Sequence, residues 1–404
     1  MSRADFDVII AGAGIAGAAM ACALRGGGLH IAVVEASPIC TRIEGGIEGV
    51  DGFDARVSAI TPASQDFLEQ LGAWDAILQQ RVCAYTHMQV WDGEGTGAIE
   101  FHAREVQQPC LGHIVENRVL NAALAAPLTA APNLSLFNPS RIEKLQRARS
   151  GPLRVGLDDG SELSCALLVA ADGALSQLRQ LGEFKTREWD YGHHALVCTV
   201  ETGLSHRHTA YQRFMSSGPL AFLPLPESAG RHYCSIVWSI DSGRVAALLE
   251  MDDGEFLREL QRAFENHLGQ LSACSRRLAF PLRQRHAQDY VQPGMALVGD
   301  AAHTIHPLAG QGVNLALQDV KALSAQVLSA HESGQNPGGL HLLKRYQRQR
   351  KGDNLLMMAA MDGFKRLFEM ESPALRLLRG AGMRLVHRAG PLKRELMRHA
   401  MGIR

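Results

Sequence analysis

Three short stretches hold residue types at spacings that chemistry can use. The first reads Gly12-Ala13-Gly14-Ile15-Ala16-Gly17. Gly12 permits a tight strand-to-helix turn, Gly14 leaves room where a pyrophosphate must approach, and Gly17 lets helix and strand pack closely. N–H groups at the start of the following helix attract negative charge. Glu35 stands about twenty residues on, where a carboxylate accepts hydrogen bonds from ribose hydroxyls and disfavours a 2′-phosphate. Together these features predict a dinucleotide site. The second stretch, Asp172-Gly173-Ala174-Leu175-Ser176-Gln177-Leu178-Arg179, reads either as a ligand edge at the end of a strand or as an ordinary Asp-Gly turn. The third runs Gly299-Asp300-Ala301-Ala302-His303, then Pro307-Leu308-Ala309-Gly310-Gln311-Gly312-Val313-Asn314. A carboxylate at the end of a buried strand needs hydroxyl or N–H donors. Backbone around Gly310 and Gly312 could lie flat against a planar ring.

The elements that must position these residues follow from apolar patterning. Residues 6–11 and 29–35 read as strands around a helix at 15–25, forming a βαβ unit. Helices are expected at 64–71, 117–128, 253–268 and 312–329. Buried strands are expected at 134–137, 153–157, 167–171 and 295–298, with Asp158-Asp159-Gly160 as a hairpin turn. A strand at 86–91 starts a sheet of a different kind. Residues 191–200, 209–214, 220–224 and 233–240 read as one antiparallel sheet roofing a substrate chamber. Residues 341–404 read as helical, interrupted at Pro373 and Pro391. The fold class is therefore α/β. A Rossmann-like dinucleotide domain (1–75, 113–182 and 283–340) carries an inserted antiparallel-sheet substrate domain (76–112 and 183–282) and a helical C-terminal region (341–404). Leu24-Arg25-Gly26-Gly27-Gly28 reads as a flexible helix exit.

Composition bounds the function. The 404 residues carry 41 Lys plus Arg and 41 Asp plus Glu, a neutral balance that argues against a dedicated nucleic-acid binder. The eight Cys form no CxxC pair and no Cys/His cluster, so neither a metal site nor a disulfide scaffold is expected, and a reducing, cytoplasmic setting is. Neither a signal peptide nor a run of about 18 apolar residues is found.

In this order and at these distances, the three motifs resemble those of the FAD-dependent aromatic hydroxylases. These are the class A flavoprotein monooxygenases related to para-hydroxybenzoate hydroxylase, and the likeness covers nearly the whole chain. Within that class the chain resembles the ubiquinone-biosynthesis polyprenylphenol hydroxylases. Residues 299–319 carry that likeness, with Tyr346-Gln347-Arg348-Gln349-Arg350-Lys351-Gly352-Asp353-Asn354 and Met361-Asp362-Gly363-Phe364. The resemblance implies that Gly12, Gly14, Gly17 and Glu35 hold the ADP half of FAD. Arg56, in Asp54-Ala55-Arg56-Val57-Ser58-Ala59-Ile60, would lie near the flavin. Arg118, in Glu116-Asn117-Arg118-Val119-Leu120, would lie near its phosphate and ribityl region. Asp172 would serve both FAD and a transiently bound NAD(P)H, and Asp300 would bind the ribityl chain. Pro307, Gly310, Gln311, Gly312 and Asn314 would form the loop against the isoalloxazine ring.

The implied reaction is hydroxylation of an aromatic ring by O2 through a C4a-hydroperoxyflavin, with NAD(P)H as reductant and a lipophilic polyprenylated phenol as substrate. No residue separates the ring positions, and C5 is carried as the candidate. Such chemistry needs a dry pocket. Leu220-Ala221-Phe222-Leu223-Pro224-Leu225-Pro226 and Phe280-Pro281-Leu282 are wall material for it, or ordinary core. No side chain is assignable as acid or base, His303 and His306 included. Rival readings are a hydroxylase of a small soluble aromatic, an FAD dehydrogenase or halogenase, a geranylgeranyl-type reductase, and a non-catalytic flavoprotein scaffold. From 365 to 404 the chain has ten basic residues against Glu369, Glu371 and Glu395, interleaved with leucines at helical spacing. This predicts docking on an inner-membrane surface or a biosynthetic protein complex, or else a cover over the FAD domain.

Overall fold

From Val8 to Ala11 the strand Phe6–Ala11 is apolar and buried, with Val8, Ile9 and Ile10 at zero exposure. That is the signature of a strand covered on both faces of a parallel sheet. The structure is a computed structural model describing residues 4–43, 46–147, 151–304, 310–369 and 372–403. Its first sheet has eight strands and a parallel core ordered Met295–Leu297, Glu162–Ala170, Phe6–Ala11, Ile31–Val34, Leu134–Phe137. Register pairs Ala11 with both Ala170 and Val34, and Ala170 with Leu297. Four strands therefore end together; Gly12 and Glu35 directly follow two of them, and Asp172 and Asp300 come within three residues of the ends of the others. In open α/β sheets the ligand crevice lies at this carboxyl edge. Helices Ile15–Leu24 and Gln311–Glu332 pack beside it.

The second sheet has nine strands. It is antiparallel, as expected, except that Thr209–Phe214 pairs in parallel with His87–Asp92. Its longest member, Thr186–Thr202, runs past the expected 191–200, and Leu278–Ala287 beside it is a ten-residue strand that the patterning does not announce. Alternation along these strands divides the sheet into two faces. One packs Leu196, Leu220, Phe222 and Ile236 against helices Ser242–Glu250 and Asp253–Ala263, with Phe222 stacked 3.6 Å from Phe264. The other face presents Ala221, Leu223 and Val237 to Val50 and Phe53. Phe222 is thus core behind the sheet, not wall of the site. The helix expected over 253–268 stops at Ala263, because Glu265 and Asn266 take left-handed φ values of 57° and 55°.

The run Arg25-Gly26-Gly27-Gly28 is not a loose exit. A Cβ on Gly27 would stand 2.2 Å from Leu328, so glycine there lets the turn pack on Gln311–Glu332. The C-terminal region forms Leu340–Glu369, Pro373–Arg388 and Gly390–Met401, with a proline in the first turn of each of the last two. Pro373 and Pro391 thus open helices, where a missing N–H costs nothing. These two helices cover the substrate sheet rather than the FAD domain. Met383 and Val386 pack with Val90, Ile99 and Phe214, and Met397 and Met401 with Ala103, Val106 and Leu111.

Candidate active site

The three glycines of the first motif differ in what forces them. Gly12 has φ +95°, and a Cβ there would meet Ala171 O at 2.5 Å. A Cβ on Gly17 would lie 1.8 Å from Gly12 O. Gly14 has φ −65° and nothing within 4 Å of where its Cβ would be. Neither backbone nor packing demands glycine at 14, which leaves the corner beside it open. Gly14 caps Ile15–Leu24 without a side-chain bond, and the first-turn N–H groups lack intrahelical acceptors. That open, donor-lined corner fits a pyrophosphate. Glu35 is set at its edge, its carboxylate accepting from Ala13 N–H at 2.6 Å and Ser37 N–H at 2.7 Å. The lone pairs left over are those a ribose would use.

Asp172 continues the strand Glu162–Ala170 onto the same edge. One oxygen accepts from Leu178 N–H at 3.0 Å, and the other is buried with no partner among the described residues. Arg179, buried, bonds Ala174 O and Ala301 O, both at 2.9 Å, and so ties this loop to the Asp300 loop. Asp300 is half-buried by exposed area, yet the surrounding protein desolvates its carboxyl and pushes it above the ordinary carboxylate range, against the pull of His303 and Arg56. Among the described residues, no hydrogen bond to that carboxylate is found. Two acidic side chains on one edge with unfilled acceptor capacity fit a polyhydroxylated cofactor chain.

The residues expected at the ring end gather where the two sheets meet. Arg56, exposed, stands 5.8 Å from the ring of Phe280, which belongs to the substrate sheet. Gly310 has φ +65°, and a Cβ on it would lie 2.8 Å from Ala59 N, so it docks the loop on Val57–Ile60. Gly312 repeats the logic of Gly14, with nothing within 4 Å. Gln311 is half-buried beside it. Asn314 faces inward. Its amide bonds Ala59 O at 2.7 Å and Thr61 N–H at 3.0 Å, so it staples the helix start to the neighbouring strand. Arg118 is likewise engaged with protein. It reaches Glu116 at 2.8 Å and Gly52 O, bracing the turn that carries Arg56. Pro307 and His306 lie outside the described residues.

The parallel sheet, its carboxyl-edge motifs and the inserted sheet above them define an FAD-dependent monooxygenase of the aromatic-hydroxylase class. A family model described as FAD binding domain matches residues 5–358, and the chain belongs to that family. It is 36% identical over 403 residues to 3-demethoxyubiquinol 3-hydroxylase of Escherichia coli (strain K12), covering 100% of both chains. It is 38% identical over 396 residues to ubiquinone hydroxylase UbiL of Rhodospirillum rubrum, covering 98% of this chain and 89% of that one. Among solved structures, PqsL of Pseudomonas aeruginosa in complex with 2-aminobenzoylacetate matches with a TM-score of 0.75 at 24% identity, over 94% of this chain and 99% of that one. At that identity the likeness speaks to the fold.

The expected result for Asp300→Ala follows from the finding that its carboxylate has no hydrogen-bond partner among the described residues. The apoprotein should be no less stable, since a desolvated carboxylate is removed. FAD affinity should fall by roughly 1.5–3 kcal/mol, the worth of a hydrogen bond to a charged group. Asp289→Ala, on the turn before Tyr290, is the control and should bind FAD normally. Equal flavin affinity for wild type and the Asp300 variant would remove this residue from the site.

Proposed function

We propose that the chain hydroxylates the aromatic ring of a polyprenylated phenol in ubiquinone biosynthesis, with NAD(P)H as electron donor and O2 as oxygen source. The observation that carries this reading is the likeness to a demethoxyubiquinol hydroxylase, which covers 100% of this chain and of that one. Bound FAD supplies oxygen activation, and the chain's own residues supply position. In this reading Gly12, Gly14, Gly17 and Glu35 hold the ADP half. Asp172 and Asp300 take the hydroxyl-bearing linker, and Gly310, Gln311 and Gly312 lie along the ring. The apolar sheet face at Ala221, Leu223 and Val237 keeps water away from the reacting carbon. The test is NAD(P)H oxidation by the purified flavoprotein with a short-chain prenyl phenol, followed by NMR of the product. Oxidation yielding only hydrogen peroxide, or hydroxylation confined to unprenylated aromatics, would overturn the substrate assignment.

A lipophilic substrate must be met at a surface, and among the described residues no helix is long and apolar enough to cross a membrane. The last two helices have two apolar faces. Met383, Val386, Met397 and Met401 face the protein, while Leu378, Leu385, Leu392 and Leu396 are 66%, 68%, 50% and 48% exposed. Exposed Arg384, Arg388, Arg394 and Arg398 flank them. A helix pair apolar on its outer side and rimmed by arginine suits an anionic bilayer interface. Changing Leu378, Leu385, Leu392 and Leu396 together to Gln should leave flavin content intact and abolish flotation with phosphatidylglycerol-containing liposomes. Flotation unchanged from wild type would reject lipid docking at this face.

A further inference from the structure

Asp319 lies inside the helix Gln311–Glu332 with no exposed surface, and the functional reading above gives it no task. Four donors surround it. Oδ2 accepts from His303 Nε2 at 2.5 Å and from Gly299 N–H at 3.2 Å. Oδ1 accepts from Arg350 Nε at 2.9 Å and from Asn354 Nδ2 at 3.2 Å. Arg350 and Asn354 come from Leu340–Glu369 and bond each other at 2.9 Å. Four donors satisfy a carboxylate fully, and a buried acid so paired stays ionised. His303, Arg350 and the carboxyl hydrogen bonds hold Asp319 below the ordinary carboxylate range in spite of its burial.

The two bonds on Oδ2 go to residues on either side of Asp300. Gly299 precedes it and His303 follows it, and the single turn between them, Gly299–Ala301, carries the cofactor-facing carboxylate. Gly299 is left-handed at φ +58° and is packed between Ala16 and Ala316, so the turn has little other freedom. We propose that Asp319, backed by Arg350, is the positioning residue for Asp300: a buried clamp that fixes both ends of its turn and so sets the height of the carboxylate over the cofactor edge.

The inference concerns FAD binding and stands whether or not the substrate is a prenyl phenol. It is tested on apoprotein reconstituted with FAD. For Asp319→Asn we expect the dissociation constant for FAD to rise at least tenfold and the thermal shift at a fixed FAD concentration to shrink accordingly, since ligand stabilisation grows with the logarithm of concentration over dissociation constant. In an Asp300→Ala background the same substitution should raise the dissociation constant less than threefold further, because Asp319 acts through Asp300. His303→Asn cuts the clamp on the loop side only and should behave alike, which keeps the test alive if Asp319→Asn does not fold. Asp353→Asn, at the exposed end of the Arg350 pair, should leave FAD affinity unchanged. Fully multiplicative losses in the double variants would overturn the proposal. So would a lowered apoprotein melting point with unchanged FAD affinity, which would make Asp319 a purely structural residue.

Discussion

Gly14→Ala is expected to give a protein as stable as wild type and nearly empty of flavin, while Gly17→Ala fails at folding. The two residues belong to one motif and face opposite sides of one turn. At Gly17 a methyl group would be driven to 1.8 Å from the carbonyl oxygen of Gly12, which is backbone and cannot swing aside. The helix would have to lift off the sheet, and its buried face of Ala18, Ala21 and Leu24 would lose contact. Overpacking of this kind costs about 1–3 kcal/mol or more. At Gly14 the methyl group meets no protein atom, and φ −65° suits alanine. The loss of a good cap residue, about 0.5–1 kcal/mol, is offset by reduced freedom of the unfolded chain, about 0.4–1 kcal/mol. What remains is collision with the ligand, for which we expect at least a hundredfold loss of FAD affinity, about 3 kcal/mol. Urea denaturation of both apoproteins and flavin titration of Gly14→Ala make the comparison. Full flavin occupancy in that variant would mean that the open corner is not where pyrophosphate sits.

That pair also shows which parts of the molecule are legible in its sequence. The glycine motif, Glu35, Asp172 and Asp300 each follow a short apolar strand, and parallel strands buried on both faces are readable as local runs. Their shared register brings them together. The clamp at Asp319 was half visible. Asp319 falls in phase with Leu315, Val320 and Leu323 on the buried face of its helix, which marks a buried acid needing donors, but nothing local says that the donors are His303 and Arg350. The strand Leu278–Ala287 escaped because Pro281, Arg283 and Arg285 break up any apolar run. In the fold Pro281 stands at the irregularity in pairing between Asp190 and His194, one of the few places a sheet accepts proline. The roles of Asn314 and Arg118 were blurred for the opposite reason. Motif likeness places them near the cofactor, and only geometry shows their polar atoms engaged with Thr61, Ala59, Glu116 and Gly52.

The C-terminal helices illustrate the same limit, and they lead to the other large expected effect. Their basic composition reads as a solvated or lipid-facing surface, yet two of the cations turn inward. Lys393, 3% exposed, bonds Glu105 at 2.8 Å. Arg379, 5% exposed, grips Asp92 with two bonds of 2.7 and 2.8 Å. Its remaining nitrogen donates to Leu367 O and Phe368 O at 3.1 Å, near the end of Leu340–Glu369. One guanidinium thus joins the long helix, the helix Pro373–Arg388 and the substrate sheet, and Phe368 beneath it stacks 4.1 Å from Phe214. Arg379→Met would leave Asp92 buried without its counter-charge, and breaking a buried pair from one side costs about 3–5 kcal/mol. The loss is expected to be local. Apolar contacts of these helices are to the substrate sheet and its flanking turn, so they should become cleavable by trypsin while FAD stays bound. Asp92→Asn with Arg379→Met removes both charges and should recover part of the loss, because an unpaired charge is costlier than an absent pair. Tryptic resistance and a urea midpoint equal to wild type in Arg379→Met would show that the helices are held by their methionines alone. If they do come loose with flavin retained, liposome flotation of the same variant tells whether the leucine face must be braced against the sheet to meet lipid.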